Sequence, residues 1–233
     1  MIEIIKAEDR HFNDFGWLQT YWLFSFSDYY DPENVQFGPL RVFNDDVVAA
    51  GKGFPMHRHK EMEIITIILK GALTHEDDMG HSSANQTGDV QRMSAGTGVT
   101  HSEFNRSDQP LHLYQIWIEP WEQGLTPSYE QTHFEPQAWE GELLALASGQ
   151  DIAGAVPFHA DATIYRGAFE AGKFVIYAVE EGRKLFLYLT TGEIIVNGET
   201  LEEKDQARME IEGPLEMEIQ LDAELVLIDL PSS

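Results

Sequence analysis

The sequence predicts an all-β protein built as two barrels in tandem. Three observations carry this. Apolar runs of strand length recur along the whole chain, glycine-bearing turns separate them, and one block of the first half returns in the second. The runs fall at 38–43, 63–69, 111–118, 174–179, 185–189, 193–196, 215–221 and 225–230. Each is rich in β-branched and aromatic residues, which suit a pleated, half-buried surface. Lys70-Gly71, Glu181-Gly182 and Asn197-Gly198 supply turns between them. Helical periodicity is weak everywhere. The segment 121–133 reads as a connection, because Pro120, Pro127 and Pro136 break regularity around it. The boundary is therefore expected near residue 135, with one barrel over 1–134 and a second over 135–233. The repeat supports the division. Ile67-Ile68-Leu69-Lys70-Gly71 matches Tyr188-Leu189-Thr190-Thr191-Gly192 in pattern. Asp89-Val90-Gln91-Arg92-Met93 matches Asp205-Gln206-Ala207-Arg208-Met209, with a shorter loop in the second copy.

Composition narrows the function classes. The 233 residues are 42% hydrophobic, enough for globular cores. Forty acidic residues against fifteen basic ones give a net charge of -25, a surface that repels phosphate backbones, so no direct nucleic-acid partner is expected. With no cysteine, disulfides, thiolate metal sites and cysteine nucleophiles are excluded. Glu3, Lys6 and Glu8 charge the N-terminus too early for a secretory signal, and the longest apolar runs are far short of a membrane span. The expectation is a cytoplasmic, monomeric protein with no membrane partner. No phosphate loop or dinucleotide fingerprint occurs.

The chemistry-bearing residues cluster in the first half. In Gly53-Phe54-Pro55-Met56-His57-Arg58-His59, strand alternation puts His57 and His59 on one face, and Glu61 and Glu63 continue it if the pairing is regular. His101-Ser102-Glu103 repeats the i, i+2 geometry after the turn Ala95-Gly96-Thr97-Gly98. Two such pairs facing each other inside a barrel make a site of three imidazoles and one carboxylate. These donors suit one divalent transition metal, whether Fe, Mn, Co, Ni, Cu or Zn. His75 and Asp77 fall on the next strand and are candidates for orienting a ligand by hydrogen bonding. Gln115 shares parity with Trp117 and is a candidate for the pocket. His11, His81, His112, His133 and His159 read as surface or satisfied polar residues.

The spacing of these motifs, with Gly71 and Gly88 between them, resembles the two motifs of cupin barrels. It departs from them in the seven residues between Glu63 and Gly71 and in Ser94, where proline is usual. Those departures, with Phe54-Pro55-Met56-His57-Arg58-His59, Leu69-Lys70-Gly71-Ala72-Leu73-Thr74-His75-Glu76-Asp77, the block from Gln91 to Glu103 and Leu113-Tyr114-Gln115-Ile116-Trp117, resemble the pirin family over roughly residues 38–120. The resemblance implies two tandem cupin barrels of the jelly-roll, or double-stranded β-helix, type. It implies a metal held by His57, His59, His101 and Glu103, with iron the first expectation and Glu63 a neighbour of the ligands. It also implies an oxygen-using enzyme that cleaves a flavonol such as quercetin and releases carbon monoxide, Glu103 taking the proton of the 3-hydroxyl. The alternative class is a metal-binding regulatory module that contacts other proteins. Carrying the offsets of His57, His59, His101 and Glu103 into the repeat gives Ala178, Glu180, Met217 and Ile219. Only one of these can ligate and no histidine follows His159, so the second barrel is expected to be metal-free.

Overall fold

The strand-length runs of the sequence become antiparallel strands in the computed structural model, which describes residues 1–232. The chain divides into two units. One comprises His11–Glu135 and Val156–Ala160; the other comprises Met1–Arg10, Pro136–Ala155 and the chain from Asp161 onward. The expected spans of 1–134 and 135–233 therefore need two exchanges. The first ten residues go with the second unit, and 156–160 go with the first.

The opening strand β1 (Ile2–Ile5) explains the first exchange. The first unit begins after it, with β2 (His11–Asp14), β3 (Leu18–Trp22), β4 (Leu40–Val48), β5 (Gly53–His59), β6 (Glu63–Lys70), β7 (Ala72–Asp77), β8 (Ser82–Gln86), β9 (Asp89–Ser94), β10 (Val99–Phe104), β11 (Leu111–Ile118) and β12 (Ser128–His133). They form a seven-stranded sheet ordered β12-β9-β6-β11-β4-β3-β2 and a four-stranded sheet ordered β5-β10-β7-β8. The inner face of the larger sheet follows from alternation along its strands. Leu18 and Val48 lie at one end of it with Leu111, Leu113 and Ile68, packed against Leu73 of the smaller sheet. Thr66 and Gln115 stand side by side in the next layer, as do Ile64 and Trp117 beyond them.

The second unit holds β13 (Leu144–Ser148), and after the short β14 (Val156–Pro157) of the first unit it continues with β15 (Thr163–Phe169), β16 (Phe174–Tyr177), β17 (Arg183–Val196), β18 (Glu199–Glu202), β19 (Gln206–Met209) and β20 (Leu215–Pro231). Runs expected as four strands, 185–189, 193–196, 215–221 and 225–230, merge into the two long strands β17 and β20. Register shifts between Leu189 and Ile194 let each strand bend without ending. Asn197 and Gly198, both at positive φ (47° and 92°), make the tight turn into β18. β1 pairs with β19, Ile2 opposite Met209, and lays Ile2 and Ile4 against the core. That core is apolar: Leu185, Leu187, Leu189, Ile194, Leu201, Met209, Met217, Ile219, Leu225 and Leu227 are all buried in it.

Candidate metal centre

The site lies on the four-stranded sheet of the first unit. β5 and β10 run antiparallel, with His57 opposite His101 and His59 opposite Val99. A register shift follows between His101 and Glu103, which faces Phe54. Gly53 permits the close approach at that end, since a Cβ there would lie 2.2 Å from the Glu103 carbonyl oxygen. On its other edge β10 pairs with β7, setting Glu103 opposite His75 and His101 opposite Asp77.

Donor atoms of His57, His59 and His101 all lie within 4.8 Å of one another. His57 Nδ1 donates to the Pro55 carbonyl at 2.8 Å. Its Nε2 must then carry a lone pair, and this atom faces Nε2 of His101 at 3.1 Å. Burial, reinforced by the neighbouring imidazoles, lowers the pKa of His59 to about 3. Burial likewise lowers that of His101 to about 4, against the pull of Glu103. Neutral imidazoles with convergent nitrogens are what a borderline divalent ion requires, so the donor set fits the metal the sequence implies.

Glu103 is buried and belongs to a second group, with His75 and His101, whose donor atoms also lie within 4.8 Å of one another. The structure thus gathers the three expected histidines and brings the carboxylate to them through His101. Both carboxylate oxygens are engaged from the facing sheet. Gln91 Nε2 donates to Oε1 at 2.7 Å and Gln115 Nε2 to Oε2 at 3.0 Å. The amides have no choice of orientation. Asn85 Nδ2 donates to Gln91 Oε1 at 2.7 Å, and the Trp117 indole N–H, which can only donate, reaches Gln115 Oε1 at 3.1 Å. Burial works against the charge on Glu103, but the His75 and His101 imidazoles and the Gln91 donor overcome it and hold its pKa down to about 2. The Trp117 ring also meets His59 edge-on, centroids 4.9 Å apart.

Of the expected neighbours, Gln115 and His75 reach the site and Glu63 does not. Glu63 is buried, but it accepts a hydrogen bond from Ser94 Oγ at 2.7 Å and has His159 Nδ1 at 3.4 Å. The alternation that was to carry it alongside the histidines is reset between β5 and β6, where Glu61 takes a φ of 51° and the chain passes from one sheet to the other. Gln91 and Asn85 carried no local signal, because each acts across the barrel. His81 is an exposed residue satisfied by Asp77, its Nδ1 lying 2.9 Å from Oδ2.

Comparison with known proteins agrees with this architecture. Residues 6–118 match the Pirin family, and residues 145–230 match the Quercetinase C-terminal cupin domain. The chain is 40% identical over 232 residues to quercetin 2,3-dioxygenase of Escherichia coli strain K12, covering 99% of both chains. The chain belongs to the pirin family. Another relative of this pirin is a pirin-like protein of Caulobacter vibrioides, 42% identical over 93% of this chain and 94% of that one. Among solved structures, the bacterial pirin YhhW of Escherichia coli in complex with nickel(II) superimposes with a TM-score of 0.94 at 38% identity, covering 100% of both chains. Two tandem cupin-type units, as the sequence suggested, are the pirin fold.

Proposed function

We propose that this pirin is a metal-dependent dioxygenase that opens a flavonol such as quercetin with O2 and releases carbon monoxide, the metal held by His57, His59 and His101 with Glu103 beside them. The observation that carries the reading is the convergence of the donor nitrogens of His57, His59 and His101, His57 Nε2 and His101 Nε2 being 3.1 Å apart, next to a carboxylate kept charged in a buried place. Relatives named quercetin 2,3-dioxygenase along the full length of the chain support the substrate class. The nickel complex of a relative supports a divalent ion, with iron, the first expectation, among the other candidates.

A divalent ion in this place supplies Lewis acidity toward an enolic oxygen. The protein's own part is positional and protonic. His57 and His59 come from one strand and His101 from its neighbour, so their rings are fixed by strand pairing rather than by a loop. Glu103 Oε2 accepts the proton of the substrate's 3-hydroxyl. Gln115, bonded to that same oxygen and anchored by Trp117, holds the resulting acid in place. Trp117 also supplies a flat wall beside His59 for an aromatic substrate.

The test is direct. Protein loaded with iron or nickel is mixed with quercetin in air and the loss of the flavonol's near-visible absorbance is followed with oxygen uptake. Bleaching above that of metal-free protein, abolished in His101→Ala, is the expected result. Oxygen-independent bleaching, or none, would remove the reading.

A further inference from the structure

One sheet edge of the second unit stands open. β16 pairs with β20 and with no other described strand. The ladder decides which backbone groups face outward. Glu216, opposite Ile176, gives its C=O to the Asn197 N–H and its N–H to the Asn197 side chain, so it is turned toward β17. In an antiparallel ladder the N–H and C=O of one residue point to the same side, and that side alternates along the strand. Ile176 and Phe174 therefore direct both groups away from β20. Lys173 fits the same alternation, since its C=O accepts the Ile219 N–H of β20 at 2.9 Å. The side chains divide in the same way. Val175 and Tyr177 pack against the core, whereas Phe174 and Ile176 are 56% and 59% exposed.

Such an edge is a template for another strand unless proline or charge blunts it. Comparable edges of this chain are blunted. β5, at the edge of the four-stranded sheet of the first unit, carries Pro55 and Arg58. β18, which pairs with β17, carries Glu199 and Glu202. β16 reads Phe174-Val175-Ile176-Tyr177, with neither proline nor charge. The charges lie around it and are mostly of one sign. Glu218 stands exposed beside Phe174, and Glu216 beside Ile176. Glu170, Glu180 and Glu181 flank the strand, against Lys173. At the start of β16 a cleft of about 690 Å³ is lined by Phe169, Phe174 and Val175 together with Glu140, Glu170 and Asp222.

We propose that β16 is a docking edge for an extended basic segment of another protein, one in which Lys or Arg alternates with apolar residues. The segment adds as a strand, its backbone meeting the outward N–H and C=O groups of Phe174 and Ile176. Neighbouring strands lie about 4.8 Å apart, so Glu216 and Glu218 stand about 10 Å from the added strand on the same face. A Lys or Arg stem crosses that interval over Phe174 or Ile176, covers their apolar surface and brings its head group to a carboxylate. Two copies of this chain joined at the same edge would instead bring like charges together, since each carries a net charge of -25. The edge belongs to the barrel without the histidine cluster, and its occupation needs no metal.

The probe is a short synthetic peptide of alternating lysine and valine, added to the nitrogen-15-labelled full chain and read by amide hydrogen exchange. Two controls have the same length. One carries glutamate in place of lysine; the other keeps the lysines but has proline in place of valine, so it cannot pair as a strand. The lysine–valine peptide should slow exchange of the Phe174 and Ile176 amides about tenfold or more, and neither control should. Glu218→Gln should raise the peptide's Kd about twofold to fivefold. Ile176→Pro removes an outward N–H and no bond to β20, and should abolish the protection at Phe174. Ile176→Lys keeps the backbone intact and adds a repelling charge, so it should weaken binding even where the proline variant does not fold. Protection by either control, or a lysine–valine peptide that leaves the two amides unprotected, overturns the proposal. So does protection of these amides that rises with protein concentration in the absence of peptide, which would assign the edge to a second copy of the chain.

Discussion

The two barrels of this pirin are both antiparallel β, but they place different chemistry at the positions of the first one's histidines. In the first, β5 and β10 set His57 opposite His101; in the second, β16 and β20 set Val175 opposite Met217. Met217 and Ile219 stand at the offsets of His101 and Glu103, and both are buried in a cluster of leucine, isoleucine and methionine. The first barrel buries Gln91, His75, His101 and Glu103 around the corresponding positions. A polar interior is stable only when each group finds a partner, whereas an apolar one needs only shape. The apolar cluster of the second barrel is thus tolerant of change. The first is built around one network whose members cannot be exchanged singly.

The sharpest way to break the contrast is to remove a ligand. His101→Ala should abolish metal uptake by elemental analysis and reduce quercetin turnover to the metal-free rate. Leu187→Ala in the second core should cost about 2–5 kcal/mol of stability but leave metal content per folded chain unchanged. Metal content that falls equally in both variants would mean that the second barrel takes part in binding. The next largest effect comes from giving the second barrel the first one's chemistry. Met217→Glu buries a carboxylate with no amide or imidazole to receive it, and should destabilise by about 3–5 kcal/mol in urea unfolding. A loss below about 1 kcal/mol would show that this interior accepts charge after all.

A smaller effect tests the first barrel's network. Gln91→Leu removes one donor from Glu103 and leaves Asn85 Nδ2 without its acceptor on Gln91. It should cost about 1–3 kcal/mol, the desolvation penalty of a buried group left short of a partner. A neutral result would show that the carboxylate is held by Gln115 without help from Gln91.

What could be read in the sequence divides along the same line. The histidine pairs were legible because a ligand pair at i, i+2 is a local pattern, and two of them on neighbouring strands need only pairing to meet. That the ligand set does not repeat in the second half was legible because no histidine follows His159. Contacts across the barrel were not. The parity of Gln115 with Trp117 marks it for the pocket, but nothing in the spacing announces that Gln91 reaches Glu103 from the opposite sheet. Glu63 was misplaced because alternation is trustworthy only within a strand, and the positive φ at Glu61 resets it. The capture of β1 by β19 had no local sign either, since Ile2 and Ile4 suit any sheet edge with an apolar face to cover. Ala178, the residue at the offset of His57, lies just beyond the end of β16, on which Val175 pairs with Met217.

Acid should separate the two barrels in the metal-free chain. His59 and His101 have folded pKa values lowered to about 3 and about 4, so the unfolded chain binds protons that the folded one refuses. Their contribution to stability is whole above about 6.5, the ordinary histidine value, and is lost as pH falls through the window down to those folded values. Glu103, lowered to about 2, adds a second loss that begins below the ordinary carboxylate range. Both losses fall on the first barrel; in the second the buried carboxylates Asp205 and Asp229 stay paired with Lys6 and Arg183. Amide NMR signals of β10 should therefore weaken at a higher pH than those of β17 during a titration from pH 8 to pH 4. A bound metal should delay that loss, since protons and the ion compete for the same nitrogens. Signals of β17 vanishing first, or a metal without effect on those of β10, would show that the acid-sensitive groups lie somewhere other than the histidine cluster.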